Sequence, residues 1–388
     1  MRMSLQTGDD VNPNSGITSA GGRGGVTRRE WLAGLESIAA AGAIISAFQA
    51  GRSHAMTDTS TKPVARGEPR PRFARRGIVL SRRDLEQPDW PDLLARARLN
   101  VIALHHTTVA EFIAYAASPQ GSAVLKRFEA AGVAIEFEHH IMNELLPRGL
   151  FDQTPEMFRV DAKGERTPKA NFCCSSDQAI KTIRDNAEKL ARSLPYRTGR
   201  YFFWSDDAAA WCKCPKCRDL TDSDQNLILA NTILEGVRRF DPRATACCLA
   251  YAQTLPVPRS VKPKDGIFLE FAPIRRSYQR PLNDKGCEEN RKHVEWMEGL
   301  LNFFGAKGSQ VLEYWLDASR HSGWKRPSKR LPDLSVCLEA DMAFYAQAGF
   351  ESVTTFGVYL DPDYWRMYGP PPVLEYGRAA RGAPTDAS

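Results

Sequence analysis

The amino-acid sequence predicts a single (β/α)8 TIM barrel, and three observations carry that expectation. Eight short runs rich in β-branched and aromatic residues lie between Gly77 and Tyr359, and stretches of helical periodicity separate them. No glycine-rich phosphate loop follows the first run, in "RRGIVLSRRDLEQ". Its lack removes the main reason to prefer an open doubly wound sheet, whose first βα turn needs glycines to bring the backbone against a pyrophosphate. The chain has 388 residues, 43% of them hydrophobic and 25% charged, which is ordinary globular composition and leaves room for a barrel of about 250 residues with insertions.

The expected strands are Gly77–Ser81, Val101–His105, Val133–Glu138, Tyr201–Ser205, Thr245–Tyr251, Ile267–Phe271, Val311–Trp315 and Ser352–Tyr359. Between them, apolar residues recur on one helical face at Ile180, Ile183, Ala187, Leu190 and Leu194, at Leu227, Ala230, Leu234 and Val237, and at Val294, Met297, Leu301 and Phe304. Asp222 or Ser223 is placed to cap the second of these by accepting from a free amide of its first turn, and Gly349 to stop a helix beginning near Leu334.

The first seventy residues differ. A Gly/Ser/Asn-rich lead precedes "TRREWLAGLESIAAAGAIISAFQAGRSHA", in which Arg28 and Arg29 stand before a short apolar stretch that closes on small residues. That order matches a cleavable export signal, and the paired arginines mark it for twin-arginine export to the periplasm or the exterior. The apolar stretch is shorter than the roughly 20 residues a membrane span requires, so no stable span is expected after processing. The expected organisation is a signal over 1–55, a flexible Thr/Pro/Arg-rich linker over 56–74, the barrel over 75–378 and a disordered tail over 379–388. The net charge of +6 arises from 52 basic and 46 acidic residues without a long single-sign run, which argues against nucleic acid as a partner.

In such a barrel the chemistry gathers where strands end, because the loops that follow them converge on one face. Nearly every predicted strand delivers a polar or aromatic group there. They are His105 and His106; Glu138, His139 and His140; Trp204, Asp206 and Asp207; Tyr251 and Gln253; Glu270; Glu313, Tyr314, Trp315 and Asp317; and Tyr359. Acids within apolar runs need a reason, since an unpaired buried charge costs several kcal/mol. Glu136 either pairs with an arginine inside the barrel or serves function. Several acids with aromatics on one rim is the equipment of glycoside hydrolysis, in which one carboxylic acid protonates the departing oxygen and a second carboxylate attacks the anomeric carbon or activates water. Asp207 is the expected general acid, with Asp206 beside it and Glu313 or Glu270 as base or nucleophile. His105, His139, His140, Trp204, Tyr251, Tyr314, Trp315, Asp317 and Tyr359 are expected to bind the sugar. Trp211, Trp324, Tyr364 and Trp365 are further flat surfaces. Arg275, Arg276 and Lys325 suit an anionic sugar. A non-catalytic carbohydrate-binding barrel would keep the aromatics but need no converging acids. A metal-dependent hydrolase built on the histidines is disfavoured, since no H-x-H or H-E-x-x-H spacing occurs.

Cys212, Cys214 and Cys217 form C-x-C-x2-C, and Cys173 or Cys174 in "NFCCSS" is the nearest fourth ligand. A structural zinc ion, a disulfide and free thiols all fit this pattern, and either of the first two would staple the long loop that carries Asp206 and Asp207. No cofactor is expected to take part in catalysis.

The segments "PEMFRVDAKGERTP", "NFCCSS", "FWSDDAAAWCKCPKC", "AYAQTLPVP", "EYWLDAS" and "TTFGVYLDPDYW" carry a family resemblance. From "EHHIMNELLPRGLF" onward it resembles the bacterial domain of unknown function numbered 4838, grouped with the glycoside-hydrolase barrels. The resemblance implies a barrel distantly similar to hexosaminidases and α-glucuronidases. It gives Asp206 and Asp207 a catalytic place after the fourth strand, and Glu270 and Glu313 the places of base carboxylates. The Asp-Glu order of hexosaminidases is absent, because Asp207 stands where they keep the glutamate.

Overall fold

All eight strands are buried on both faces, which is what a parallel sheet filled by side chains inside and covered by helices outside demands of its sequence. The computed structural model describes residues 70–105 and 108–382. Within them β1 (Arg75–Ser81), β2 (Val101–His105), β3 (Ala134–His140), β4 (Arg200–Trp204), β5 (Thr245–Tyr251), β6 (Ile267–Ala272), β7 (Gln310–Glu313) and β8 (Ser352–Phe356) form a closed barrel in sequence order. Every pairing is parallel, and β1 closes the ring by lying between β2 and β8, with Ile78 beside Ile102 and Thr355. Closure excludes the open sheet and establishes the (β/α)8 architecture. The expected strands match to within a few residues, the largest trims falling at the C-terminal ends of β7 and β8.

Helices Asp177–Ser193 and Asp222–Arg238 cover one side and approach each other closely. Gly236 permits this: a Cβ there would lie 2.1 Å from the Arg184 carbonyl oxygen and 3.0 Å from the Ala187 Cβ. Gly236→Ala is therefore expected to destabilise by roughly 1–3 kcal/mol through overpacking, although alanine is the better helix former. A urea titration with a lowered midpoint and unchanged slope checks this, and an unchanged midpoint would show that the two helices separate freely.

The cap of the second helix is Thr221 rather than Asp222 or Ser223. Its hydroxyl accepts from the Asp224 amide while the Asp224 carboxylate accepts from the Thr221 amide, a reciprocal capping box. The Ser223 hydroxyl instead donates to the carbonyls of Thr254 and Pro256. Gly349 ends helix Leu338–Ala348 with φ of 98°, as expected of a left-handed stop. The final helix continues to Arg381, past the expected end of the barrel at Arg378, because Ala379 and Ala380 are buried. Residue Phe73 of the expected linker is buried too. The export signal, most of the linker, His106 and the last six residues lie outside the described residues. Among those described, no helix is long and apolar enough to cross a membrane.

Candidate active site at the barrel mouth

Successive residues of a strand face opposite sides, so parity decides which side chains enter the barrel. Val79, Ala103, Phe202, Trp204, Cys247, Leu249, Phe268, Ala272, Leu312 and Tyr314 form the interior apolar cluster, with Tyr251 and Phe356 against it. The acids of the same parity lie among them in two tiers. At the bottom, Glu136 is paired with Arg75 at 2.5 Å and accepts from the Thr198 hydroxyl, which gives that acid its structural partner. Above it the Gln310 amide donates to Glu138 (3.2 Å) and Glu270 (2.9 Å), and the Trp204 indole donates to Glu270 (2.8 Å). Burial, then the charges of Glu270 and Glu136, holds Glu138 well above the carboxylate range. Burial pushes Glu270 up to about 7, with hydrogen bonds from Trp204 and Cys247 pulling it back. Both carboxyl groups are sealed beneath Trp204 and share one amide. Both are fully buried and closed to solvent.

The mouth is built from the next tier and two loops. His105 at the end of β2 donates through Nδ1 to the Glu138 carbonyl (2.7 Å), and burial, then the neighbouring His139 and His140, lowers it to about 3, so it is neutral. Its ring packs against His139 (centroids 4.5 Å apart), Trp204 (5.8 Å) and Phe356 (5.3 Å). His140 at the end of β3 donates through Nδ1 to the Ser205 carbonyl (2.5 Å), which turns Nε2 toward Asp207 Oδ1 at 3.8 Å. Burial, then the charge of Asp207 and a hydrogen bond to it, pushes the Tyr251 hydroxyl up.

Asp206 and Asp207 lie in the loop after β4, and they diverge. Asp206 is tied to Arg148, and its amide donates to Asn171 Oδ1 (3.0 Å). The side chain of Asp207 is 48% exposed and faces His140. A second carboxylate at this end of the barrel comes from the loop after β7. Asp317 Oδ1 accepts from the Ser319 amide (3.0 Å), the Ser319 hydroxyl (2.5 Å) and the Arg320 amide (3.1 Å), capping helix Ala318–His321. Its Oδ2 takes no hydrogen bond from the described residues. Burial raises Asp317 to about 6, against the pull of those donors. Burial raises the Tyr251 and Tyr314 hydroxyls, and the charges of Asp207 and Asp317 add to the rise in both.

The remaining expected site residues stand elsewhere. Glu313 precedes Tyr314 and so has the opposite parity, facing outward between β7 and helix Leu338–Ala348. There Arg276 Nε (2.8 Å), the Tyr278 hydroxyl (2.8 Å) and the Tyr345 hydroxyl (2.5 Å) all bond to it. Trp315, of the same parity, is fully buried beside Tyr345 and donates to Asp341. Arg276 is consumed by Glu313 and Asp341, each bonded at the buried guanidinium, so it is not open to an anionic ligand, whereas Arg275 is exposed. Tyr359 carries the Arg326 guanidinium over its ring at 3.9 Å. Trp211 is buried, and Trp324, in the segment after helix Ala318–His321, is 45% exposed. A surface cavity of about 340 Å³ between residues 330–334 and helix Pro362–Tyr368 shares no residue with the mouth.

The cysteines expected to meet do so. The Sγ atoms of Cys173, Cys212, Cys214 and Cys217 all lie within 4.8 Å of one another and are buried. Cys174 packs against the cluster without joining it, its thiol donating to Gln225 Oε1 (3.4 Å). Among the described residues this is the one group of three or more His, Cys, Asp or Glu side chains close enough to hold a metal ion.

A family model described as a domain of unknown function, DUF4838, matches residues 103–368, from β2 through helix Pro362–Tyr368. No curated protein matches the chain. Among solved structures, a β-galactosidase from Rahnella sp. R3 is 13% identical with a TM-score of 0.49, over 80% of this chain and 57% of that one. A β-galactosidase from the psychrophilic Marinomonas ef1 is 9% identical with a TM-score of 0.41, over 72% and 53%. The tandem GH20 modules of a pneumococcal exo-β-D-N-acetylglucosaminidase are 9% identical with a TM-score of 0.44, over 81% and 86%. The chain spans a little over half the length of the two β-galactosidases.

Proposed function

The chain belongs to the DUF4838 family, and from that premise we propose that it is an exported hydrolase that cleaves a glycosidic bond at the barrel mouth with the carboxyl groups of Asp317 and Asp207. The observation that carries this reading is that both acids stand on loops that follow strands of one closed parallel barrel, β7 and β4, at the end where Tyr251, Tyr314 and an aromatic floor of Trp204 and Phe356 gather. Such a floor suits the apolar face of a sugar ring.

The roles follow from environment. A general acid must hold its proton near working pH, and Asp317, raised by burial, is the mouth carboxyl that does so. Its unbonded Oδ2 is the atom that would deliver the proton to the departing oxygen. This moves the acid from Asp207, where the sequence places it, to Asp317. Asp207, open to solvent and beside His140, serves as the partner that attacks the anomeric carbon or activates water. Neutral His105 and the Tyr314 hydroxyl provide polar contacts to sugar hydroxyls, and Trp324 adds an outer platform. Arg275 and Lys325, both exposed, are the basic groups left to favour a uronate. No cofactor enters this chemistry. The leader over 1–55 would direct the enzyme through the twin-arginine machinery, out of the cytoplasm, where its carbohydrate substrate lies.

Release of nitrophenol from a panel of 4-nitrophenyl glycosides, amino-sugar glycosides and uronides tests the activity. For whichever is cleaved, kcat/KM is expected to fall about tenfold per pH unit above about 6, because the protonated form of Asp317 is lost as pH rises through its raised value. Binding of the same sugars without cleavage would replace the enzyme by a glycan-binding barrel, and activity abolished by a chelator would favour a metal-dependent hydrolase.

A further inference from the structure

We propose that Cys173, Cys212, Cys214 and Cys217 bind one zinc ion as a closed tetrathiolate site, and that this ion fixes the loop carrying Asp206 and Asp207. Zinc binds thiolate sulfur at about 2.3 Å, so the edge of a regular ZnS4 tetrahedron is about 3.8 Å. Cys173 Sγ and Cys214 Sγ are 3.8 Å apart, and no pair in the cluster exceeds 4.8 Å. A disulfide would bring two sulfurs to about 2.05 Å and leave the other two without a role. All four cysteines are free and buried. Outer contacts hold the sulfurs in place: the Val160 amide donates to Cys212 Sγ (3.3 Å), and the Ser175 hydroxyl lies 3.3 Å from Cys173 Sγ and 3.6 Å from Cys214 Sγ. Four protein sulfurs leave no open position, so the ion is structural.

Its consequence for the mouth runs through Asn171, two residues before Cys173. The fully buried Asn171 amide donates to the carbonyls of Ala209 (3.1 Å) and Ala210 (3.3 Å), while its oxygen accepts from the Asp206 amide (3.0 Å). The segment ending in Cys173 is itself a small hairpin bridged at Phe158–Phe172 and Val160–Arg166, and Lys213 donates to the Val160 carbonyl (2.8 Å). Three ligands from one segment and the fourth from the other thus lock the hairpin to the loop after β4, on the side where Asn171 holds residues 206–210. This positional part rests on the assignment of Asp207 to the reaction; the metal site itself does not.

The test is elemental analysis of the full chain purified without chelator or reductant. One zinc per chain is expected, with X-ray absorption showing sulfur neighbours alone at about 2.3 Å. Cys173→Ser and Cys214→Ser are expected to lose most of the zinc, while Cys287→Ser, remote from the cluster, keeps it. Hydrogen exchange of residues 205–217 is expected to accelerate at least tenfold when zinc is stripped with a mercurial, with the strand amides unchanged. Wild-type chain without stoichiometric zinc, or with iron in its place, or with an intact mass reduced by disulfide formation among these cysteines, would overturn the proposal whether or not the serine variants fold. Zinc present in a chain that hydrolyses no glycoside would sustain the metal site and remove the catalytic reading instead.

Discussion

Asparagine in place of Asp317 is expected to lower kcat by about 10²–10⁴-fold on substrates whose leaving group needs a proton. The substitution is chosen to spare the fold. The asparagine carbonyl can still accept from Ser319 and Arg320 and cap helix Ala318–His321, and asparagine is as good a cap as aspartate. What it cannot do is carry a transferable proton. Two readouts separate this from a merely structural effect. A 2,4-dinitrophenyl glycoside, whose leaving group departs without protonation, is expected to be cleaved by Asp317→Asn at close to the wild-type rate. The alkaline fall in activity near pH 6 is expected to vanish with the carboxyl group. Equal loss on both kinds of leaving group would mean that Asp317 holds the mouth together and is not its acid. Asp207→Asn is expected to depress both alike, since the nucleophile or base is needed whatever departs.

Replacing Arg276 by methionine is expected to cost about 3–5 kcal/mol of stability, the largest effect of any single change outside the mouth. The Arg276 guanidinium lies fully buried between Glu313 and Asp341, with Nη2 2.5 Å from Asp341 and Nε 2.8 Å from Glu313. Removing it leaves two buried carboxylates facing each other without a counter-charge, and burial, opposed by Arg276, already raises Asp341 to about 6. Denaturant titration would show the lowered midpoint. Glu313→Gln gives the complementary result. It is expected to destabilise the chain while leaving kcat of the folded fraction within a few-fold of wild type, because Glu313 faces the helix layer and not the substrate. A loss of about 10³-fold in kcat with stability intact would restore Glu313 to the catalytic pair.

The two acids show what one sequence can reveal and what it hides. The ring of strands is legible because burial on both faces forces apolar runs of strand length, and helices must then alternate with them. That acids gather at strand ends is legible for the same reason. Which way each acid points is not. "VLEYWLDAS" offers Glu313, Tyr314, Trp315 and Asp317 in seven residues, and the choice among them turns on the register of β7 in the barrel and on the turn after it. The strand stops at Glu313, so parity sends Glu313 and Trp315 outward and Tyr314 inward, and the turn that follows brings Asp317 back to the mouth. A one-residue slip in the register of β7 against β6 and β8 would have reversed the assignment. Glu270 was readable as an inward acid, but its depth beneath Trp204 depends on the tilt and stagger of the whole barrel. Asn171 carried one available signal, its place beside the "CC" of "NFCCSS", yet its contacts with residues 206–210 are fixed only when two distant loops meet. The cysteine spacing alone was enough to name three of the four sulfurs, and only the folded chain chooses Cys173 over Cys174.

The most direct measurement is a crystal structure of the Asp317→Asn chain soaked with the 4-nitrophenyl glycoside that wild type cleaves. The sugar ring is predicted to lie over Trp204 at the mouth, with the glycosidic oxygen within hydrogen-bond reach of residue 317 and the anomeric carbon facing the Asp207 carboxylate. A glycoside bound with its scissile bond out of reach of both side chains, or seated only in the cavity beside Tyr364 and Tyr368, would contradict the account.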